Sequence, residues 1–196
     1  MTTLDTSPAR PRHRRELILE AAIDLFRERG FEAASIDDIG AAAGITGPGV
    51  YRHFTGKQAI LDAAVAWGAE EILVNSERIL DQRHSPTETV DLLVAALVDA
   101  VLDKPGLVTV MLRERRNLSD DGRRAWDGAV ASYQDEWIPV LRELRPGLDD
   151  VDARALVWIG LGMVLAAAQY REGPDRERLG ELLRTMIAGA LLAPEE

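Results

Sequence analysis

Residues 35–57, SIDDIGAAAGITGPGVYRHFTGK, constrain the fold of this chain more than any other stretch. Ser35 is a favoured helix N-cap, and Asp38 stands three residues on, where the acid of a capping box belongs, although Glu or Gln is the better match. Ile36 and Ile39 then share an inward face, and Ala41–Ala43 offer small side chains that let another helix approach. Gly44 stands where the first helix must end, since glycine adopts the left-handed turn conformation without steric cost. Ile45 packs under that turn. Thr46 is a second N-cap and opens a helix carrying Val50, Tyr51 and Phe54. The segment therefore reads as a helix-turn-helix followed by an aromatic pair and a lysine.

The preceding residues fit the same picture. Ile18, Ala22, Leu25 and Phe26 recur at helical spacing from Pro11 to Gly30. Arg27 and Arg29 fall in the last turn, where cations suit the helix dipole, and Gly30 stops the helix. Taken together, LILEAAIDLFRERGFEAASIDDIGAAAGI, VYRHF and GKQAIL resemble the DNA-binding domain of the tetracycline-repressor (TetR) family of transcriptional regulators. The resemblance covers about Arg14 to Leu61. It implies an all-α fold: an N-terminal three-helix helix-turn-helix domain, then a helical ligand-binding and dimerisation domain.

The resemblance also implies roles for single residues. Tyr51 matches the family's DNA-contacting tyrosine, His53 its phosphate-binding histidine, and Lys57 the lysine that meets a backbone phosphate at a helix start. Thr46 is expected to cap its helix and to offer its hydroxyl to the duplex. The expected DNA-binding set is Ser35, Thr46, Gly47, Gly49, Tyr51, Arg52, His53 and Lys57. The sequence departs from the family at Gly47-Pro48-Gly49, where no side chain can read a base edge. Pro48 is tolerated because it falls in the first helical turn, and the two glycines are expected to let the backbone approach DNA. Specificity then falls to Thr46, Tyr51, Arg52 and N-terminal arginines such as Arg10 and Arg12, in the manner of flexible minor-groove arms.

A net charge of -10 is unusual for a DNA binder. Residues 1–67 are nearly balanced, however, and the acidity lies beyond them. Local placement outweighs net charge beyond a Debye length of about 8 Å at physiological salt. Arg10, Arg12, Arg14, Arg15, Arg52 and Lys57 are expected on one DNA-facing side. Cys is 0, which excludes disulfides, a cysteine nucleophile and thiolate metal sites. The N-terminal residues lack the apolar core of a signal peptide, and the most apolar run, Ala155–Ala168, is short for a bilayer. A cytoplasmic protein that does not enter membranes is expected. The 3 His are scattered, and no nucleophile elbow or phosphate loop is present. No catalytic residue, metal site or cofactor is expected, and the chain is not expected to be an enzyme.

The boundaries follow from breakers and periodicity. Residues 1–11 are expected as a flexible arm, 12–57 as the helix-turn-helix domain and 58–196 as the helical body. A long helix over 57–82 connects the two. Further helices are predicted from Thr87 to Asp103, Leu107 to Asn117, Ser119 to about Arg145, a cap at Asp149 or Asp150 to about Arg171, and Asp175 to Leu192.

The body offers an apolar interior with few polar groups. Trp67, Met111, Trp126, Tyr133, Trp137, Trp158 and Met163 are the candidate walls of a small-molecule pocket, which the resemblance places among the central helices. The expected effector is small and apolar or amphipathic, such as a fatty acyl compound or a lipophilic drug. Arg113, Arg115 and Arg116 form either a solvated face or an anion site. The eighth helix, ALVWIGLGMVLAAA, is apolar almost all round, so it must be covered on several sides. With the ninth it is expected to form a homodimer interface through Leu156, Gly160, Leu161, Met163, Leu165, Leu183, Ile187 and Leu191. The expected partners are a double-stranded DNA operator, the effector and a second copy of the chain.

Overall fold

The helix breakers partition the chain as their positions suggest. The computed structural model describes residues 11–170 and 172–193. Among these it forms nine α-helices and no strand: α1 Pro11–Arg29, α2 Ile36–Ala42, α3 Gly47–Val50, α4 Lys57–Leu80, α5 Pro86–Asp103, α6 Pro105–Glu114, α7 Asp120–Leu144, α8 Asp150–Ala167 and α9 Arg176–Leu192. A 3-10 turn, Arg115–Asn117, joins α6 to α7. Side-chain oxygens of Ser35, Thr46, Ser85, Ser119, Asp149 and Asp175 each cap the helix that follows, satisfying N–H groups left free at its start. Of the arm expected at residues 1–11, residues 1–10, with Arg10, lie outside the described residues, as does Arg171, and Pro11 opens α1.

Two hydrophobic clusters organise the molecule. The first gathers Ile18, Ala22 and Phe26 of α1, Ile39 of α2, Val50 of α3 and Phe54. It extends past residue 57, taking in Ile60, Leu61, Ala64 and Val65 of α4 and Leu107, Val110 and Met111 of α6. The head is therefore sealed partly by helices of the body. The second cluster gathers α5, α7, α8 and α9 around Leu97, Trp137, Leu141, Val164 and Ile187. At 1.5 Å per residue, the 24 residues of α4 span about 36 Å. Its first half belongs to the head cluster, and its second half packs Ile72, Leu73, Ile79 and Leu80 on the body cluster. Gly68 marks the crossover. A Cβ there would meet Leu107 Cδ2 at 2.5 Å, so any larger residue would push the Leu107 side chain aside where α6 crosses α4.

Candidate nucleic-acid interface

The head's geometry is set by short-range capping and by two close approaches. Ser35 Oγ accepts the Asp38 N–H at 3.1 Å, and Asp38 Oδ2 accepts the Ser35 N–H at 3.2 Å, which completes the capping box with Asp in place of Glu. The Ser35 hydroxyl donates to the same carboxylate at 2.6 Å. These bonds, with Arg29 nearby, hold the Asp38 carboxyl below the usual carboxylate range. Gly44 takes φ +68° at the turn, as its position required.

The close approach between the reader helices is made by Gly40 and not by the alanine run. A Cβ at Gly40 would lie 3.0 Å from Gly47 N and from Thr46 C, while Ala41 and Ala42 are exposed. Gly47 is buried, and a Cβ on it would fall 2.0 Å from Asp37 Oδ1. Its missing side chain lets α3 lie close on α2 beside Asp37. Gly49 faces Ile45 and Thr46 at ordinary contact distance.

Of the expected contact residues, Thr46, Tyr51 and Arg52 are exposed at one end of the motif, with Tyr51 at 58%. Thr46 Oγ1 is engaged by the Gly49 N–H at 3.3 Å as a cap. The regular helix carries only Gly47–Val50; Tyr51 to His53 continue it as turns, and His53 is half-buried. Val50 and Phe54 are core. The Arg15 guanidinium stands 4.9 Å from the Phe54 ring centroid, beside this surface.

Lys57 makes bonds within the head that the sequence did not announce. Its Nζ donates to Glu32 O at 3.0 Å and Ala34 O at 2.9 Å, and lies 4.6 Å from the Phe31 ring centroid. Two of its three donors are thus spent on the α1–α2 loop. The lysine ties the α1–α2 loop to the start of α4.

The head meets the body at one polar junction. Buried Glu114, at the end of α6, accepts the Phe31 N–H at 3.3 Å with Oε1 and Asn117 Nδ2 at 2.7 Å with Oε2. Asp62 Oδ1 of α4 accepts the Ser119 N–H at 3.1 Å, at the start of α7, and Gln58 Nε2 donates to Asn117 O. Glu114, Asp62 and Gln58 were not singled out in the sequence. A lone acid ending the apolar run of α6 was the only signal.

The expected pocket walls do not converge. Trp126 and Tyr133 line a narrow apolar cleft of about 30 Å³ with Ala69, Ile72, Leu73 and Leu161. Trp137 is buried beside Tyr133, their ring centroids 5.7 Å apart and nearly edge to face. Met111 belongs to the head cluster, Met163 packs half-buried on the body cluster, and Trp158 is 54% exposed. Trp67 sits under Lys104 Nζ, 4.4 Å from the ring centroid. It borders an open crevice of about 670 Å³ among α1, α4 and the α5–α6 turn. That larger space is lined by Glu20, Asp24, Arg27, Asp103 and Arg113, so it is not the apolar pocket expected. Arg115 pairs with Asp127 at 3.0 Å on the surface, and Arg113 and Arg116 are exposed.

The expected interface residues are likewise redistributed. Gly160, Leu161, Leu183, Ile187 and Leu191 are buried in the chain's own core, and Leu156, Met163 and Leu165 are half-buried against it. A helix apolar all round gives no periodic clue to which face its own chain covers. The uncovered face of α8 carries Val151, Trp158 and Ile159, with small residues Ala155, Gly162 and Ala166 between them, and α9 adds Leu182 and Met186. Among the described residues no cluster of metal-ligating side chains occurs and no helix is long and apolar enough to cross a membrane.

Residues 18–64 match the family model of bacterial regulatory proteins, tetR family. The transcriptional repressor KstR2 of Mycolicibacterium smegmatis is 27% identical over 152 residues, 73% of each chain. A TetR/AcrR-family regulator from Thermobifida fusca superposes with a TM-score of 0.69 and 26% identity over 90% of this chain and 97% of its own. AibR, solved with isovaleryl coenzyme A and operator DNA, shares the fold with a TM-score of 0.73 and 23% identity, over 88% of this chain and 97% of its own. These relatives are regulators and not enzymes. With the capped helix-turn-helix, its exposed Tyr51 end and a helical body behind it, the chain carries at residues 18–64 the DNA-binding domain of the tetR family of bacterial regulatory proteins and is a DNA-binding transcriptional regulator.

Proposed function

We propose that this regulator is a homodimeric repressor that holds a palindromic operator and releases it when a small, mostly apolar effector enters the body. The reading rests chiefly on the polar junction between head and body. A buried carboxylate on α6 bonds the backbone of the α1–α2 loop, and the start of α7 is tied to α4 through Asp62. A ligand that moves α6 or α7 must therefore move or release the head. It shifts the equilibrium only as far as it binds the two arrangements unequally. AibR, with both isovaleryl coenzyme A and operator DNA bound, offers a precedent within the same fold.

The α8–α9 face supports the dimer. Val151, Trp158, Ile159, Leu182 and Met186 leave a larger apolar surface than scattered single residues would. The small residues among them allow a second helix pair to approach closely. Two heads related by a two-fold axis fit two half-sites related in the same way. Within each head, Thr46, Tyr51, Arg52 and His53 form the contact set, and Ser35 and Lys57 shape it.

Selection of duplexes from a random palindromic pool, followed by anisotropy titration, tests the reading. Selected duplexes should bind far more tightly than bulk DNA, with affinity falling steeply with salt. A pool that enriches nothing overturns it. That result would favour a ligand-carrying helical protein, which the featureless surface of Gly47, Pro48 and Gly49 would suit.

A further inference from the structure

We propose that the cleft between α4 and α7 takes an uncharged, largely aliphatic molecule bearing one hydrogen-bond acceptor, a ketone, ester or lactone carbonyl, and that the Tyr133 hydroxyl donates to it. This rests on the effector-binding reading above. The buried polar atoms Tyr133 Oη and Trp137 Nε1 have no hydrogen-bond partner among the described residues. Buried side-chain polar atoms are nearly always paired; with the indole turned to the phenol oxygen, the phenol proton is the donor left for an outside group to complete.

The arrangement fixes the direction of donation. Burial pushes the Tyr133 hydroxyl's pKa up, and the Trp137 indole N–H, facing the phenol oxygen, opposes that push. An indole can only donate. A small rotation lets Trp137 bond the Tyr133 oxygen, which leaves the phenol proton for the cleft. The phenol thus meets an incoming molecule as a donor and calls for an acceptor.

Charge decides which acceptor. Ala69, Ile72, Leu73, Trp126 and Leu161 line the cleft, and no Lys, Arg or His does. Glu136 lies between Tyr133 and Trp137 in the sequence, and its field pushes the phenol's pKa further up. A carboxylate ligand meets that repulsion without a counter-cation. Glu136 itself accepts the Ser76 hydroxyl of α4 and does not line the cleft, where no carboxylate meets an amine. The present cleft admits little more than the acceptor itself. A larger aliphatic body enters only as α7 moves off α4, and α7 begins at Ser119, whose N–H is tied to Asp62 at the head–body junction.

Octan-2-one, octanoate and octylamine, titrated against the full chain and followed by tryptophan fluorescence, test the inference. Octan-2-one should bind at least about tenfold more tightly than either charged analogue. Tyr133→Phe should weaken it about fivefold, the usual value of one neutral hydrogen bond, in a protein whose circular dichroism matches the wild type. Equal affinity of wild type and Tyr133→Phe for the ketone overturns the inference, as does tighter binding of octanoate or octylamine. If none of the three binds and Ala129→Trp, which fills the cleft, leaves the spectrum and operator binding unchanged, the effector site itself is refuted. Ketone binding that depends on Tyr133 but never releases operator DNA supports the chemistry and removes the regulatory reading.

Discussion

At the scale of single residues, side chains chosen for one role often serve another. Lys57 illustrates this most directly. The sequence places it at a helix start near an anion, and the fold turns its Nζ back onto Glu32 O and Ala34 O. Lys57→Ala should cost the head about 2 kcal/mol, the range for bonds made by a charged donor. Binding to operator should weaken while the slope of log affinity against log salt stays unchanged, because no phosphate contact is removed. Urea denaturation and a salt series of anisotropy titrations check the two parts. A slope reduced by about one contact would return Lys57 to the DNA backbone.

Glu136 gives a pH-dependent counterpart in the body. Burial raises its pKa, with the Ser76 hydrogen bond opposing and Glu77 adding to the rise. A carboxyl whose pKa is raised on folding favours the folded state while protonated. That contribution is full below the ordinary carboxylate pKa, about 4.3, and is lost as pH rises through the raised value. Glu136→Gln should therefore raise the melting temperature at pH 7, and the gain should shrink towards pH 4. An equal gain at both pH values would show that charge is not the cause. Asp38 carries the opposite sign, since its lowered pKa lends stability that disappears as pH falls through it.

At the scale of elements, boundaries were legible and faces were not. Caps and breakers such as Ser85-Pro86, Ser119 and Asp149 act locally, so the sequence locates most helix ends within about two residues. The capping box at Ser35 is equally local and formed even with Asp. Which side of α8 faces its own core depends on α5, α7 and α9, and an all-round apolar helix carries no record of that choice. The same limit hid Gly47, whose bareness answers to Asp37 on a neighbouring helix. The faces now separate two substitutions. Ile159→Glu, at an exposed site, should leave the monomer folded and break self-association. Leu161→Glu, only 6% exposed, should unfold the body, since an unpaired buried charge costs several kcal/mol. Sedimentation velocity together with circular dichroism distinguishes them. A folded Leu161→Glu monomer, or an Ile159→Glu dimer, would return the interface to the residues first expected.

At the scale of the whole molecule, the head and body are joined by contacts that no local pattern announces. The head's apolar cluster is completed by α4 and α6, and its loop by Glu114, which lies 83 residues from Phe31. Separation of this kind is why the sequence divides the chain near residue 57 while the packing does not. It also locates the coupling. If body and head communicate through this junction, an effector that lowers operator affinity must itself be bound more weakly by the operator complex, and by the same factor. Octan-2-one titrated with and without operator should show that reciprocity, and typical coupling between sites corresponds to about 5- to 150-fold. Glu114→Ala removes the acceptor for Phe31 N–H and for Asn117 Nδ2. It should cost stability of about 1–3 kcal/mol for the stranded donors and bring the two ketone affinities together. Reciprocal coupling that survives in Glu114→Ala at wild-type strength would place the transmission elsewhere, along the continuous α4 helix that both clusters share.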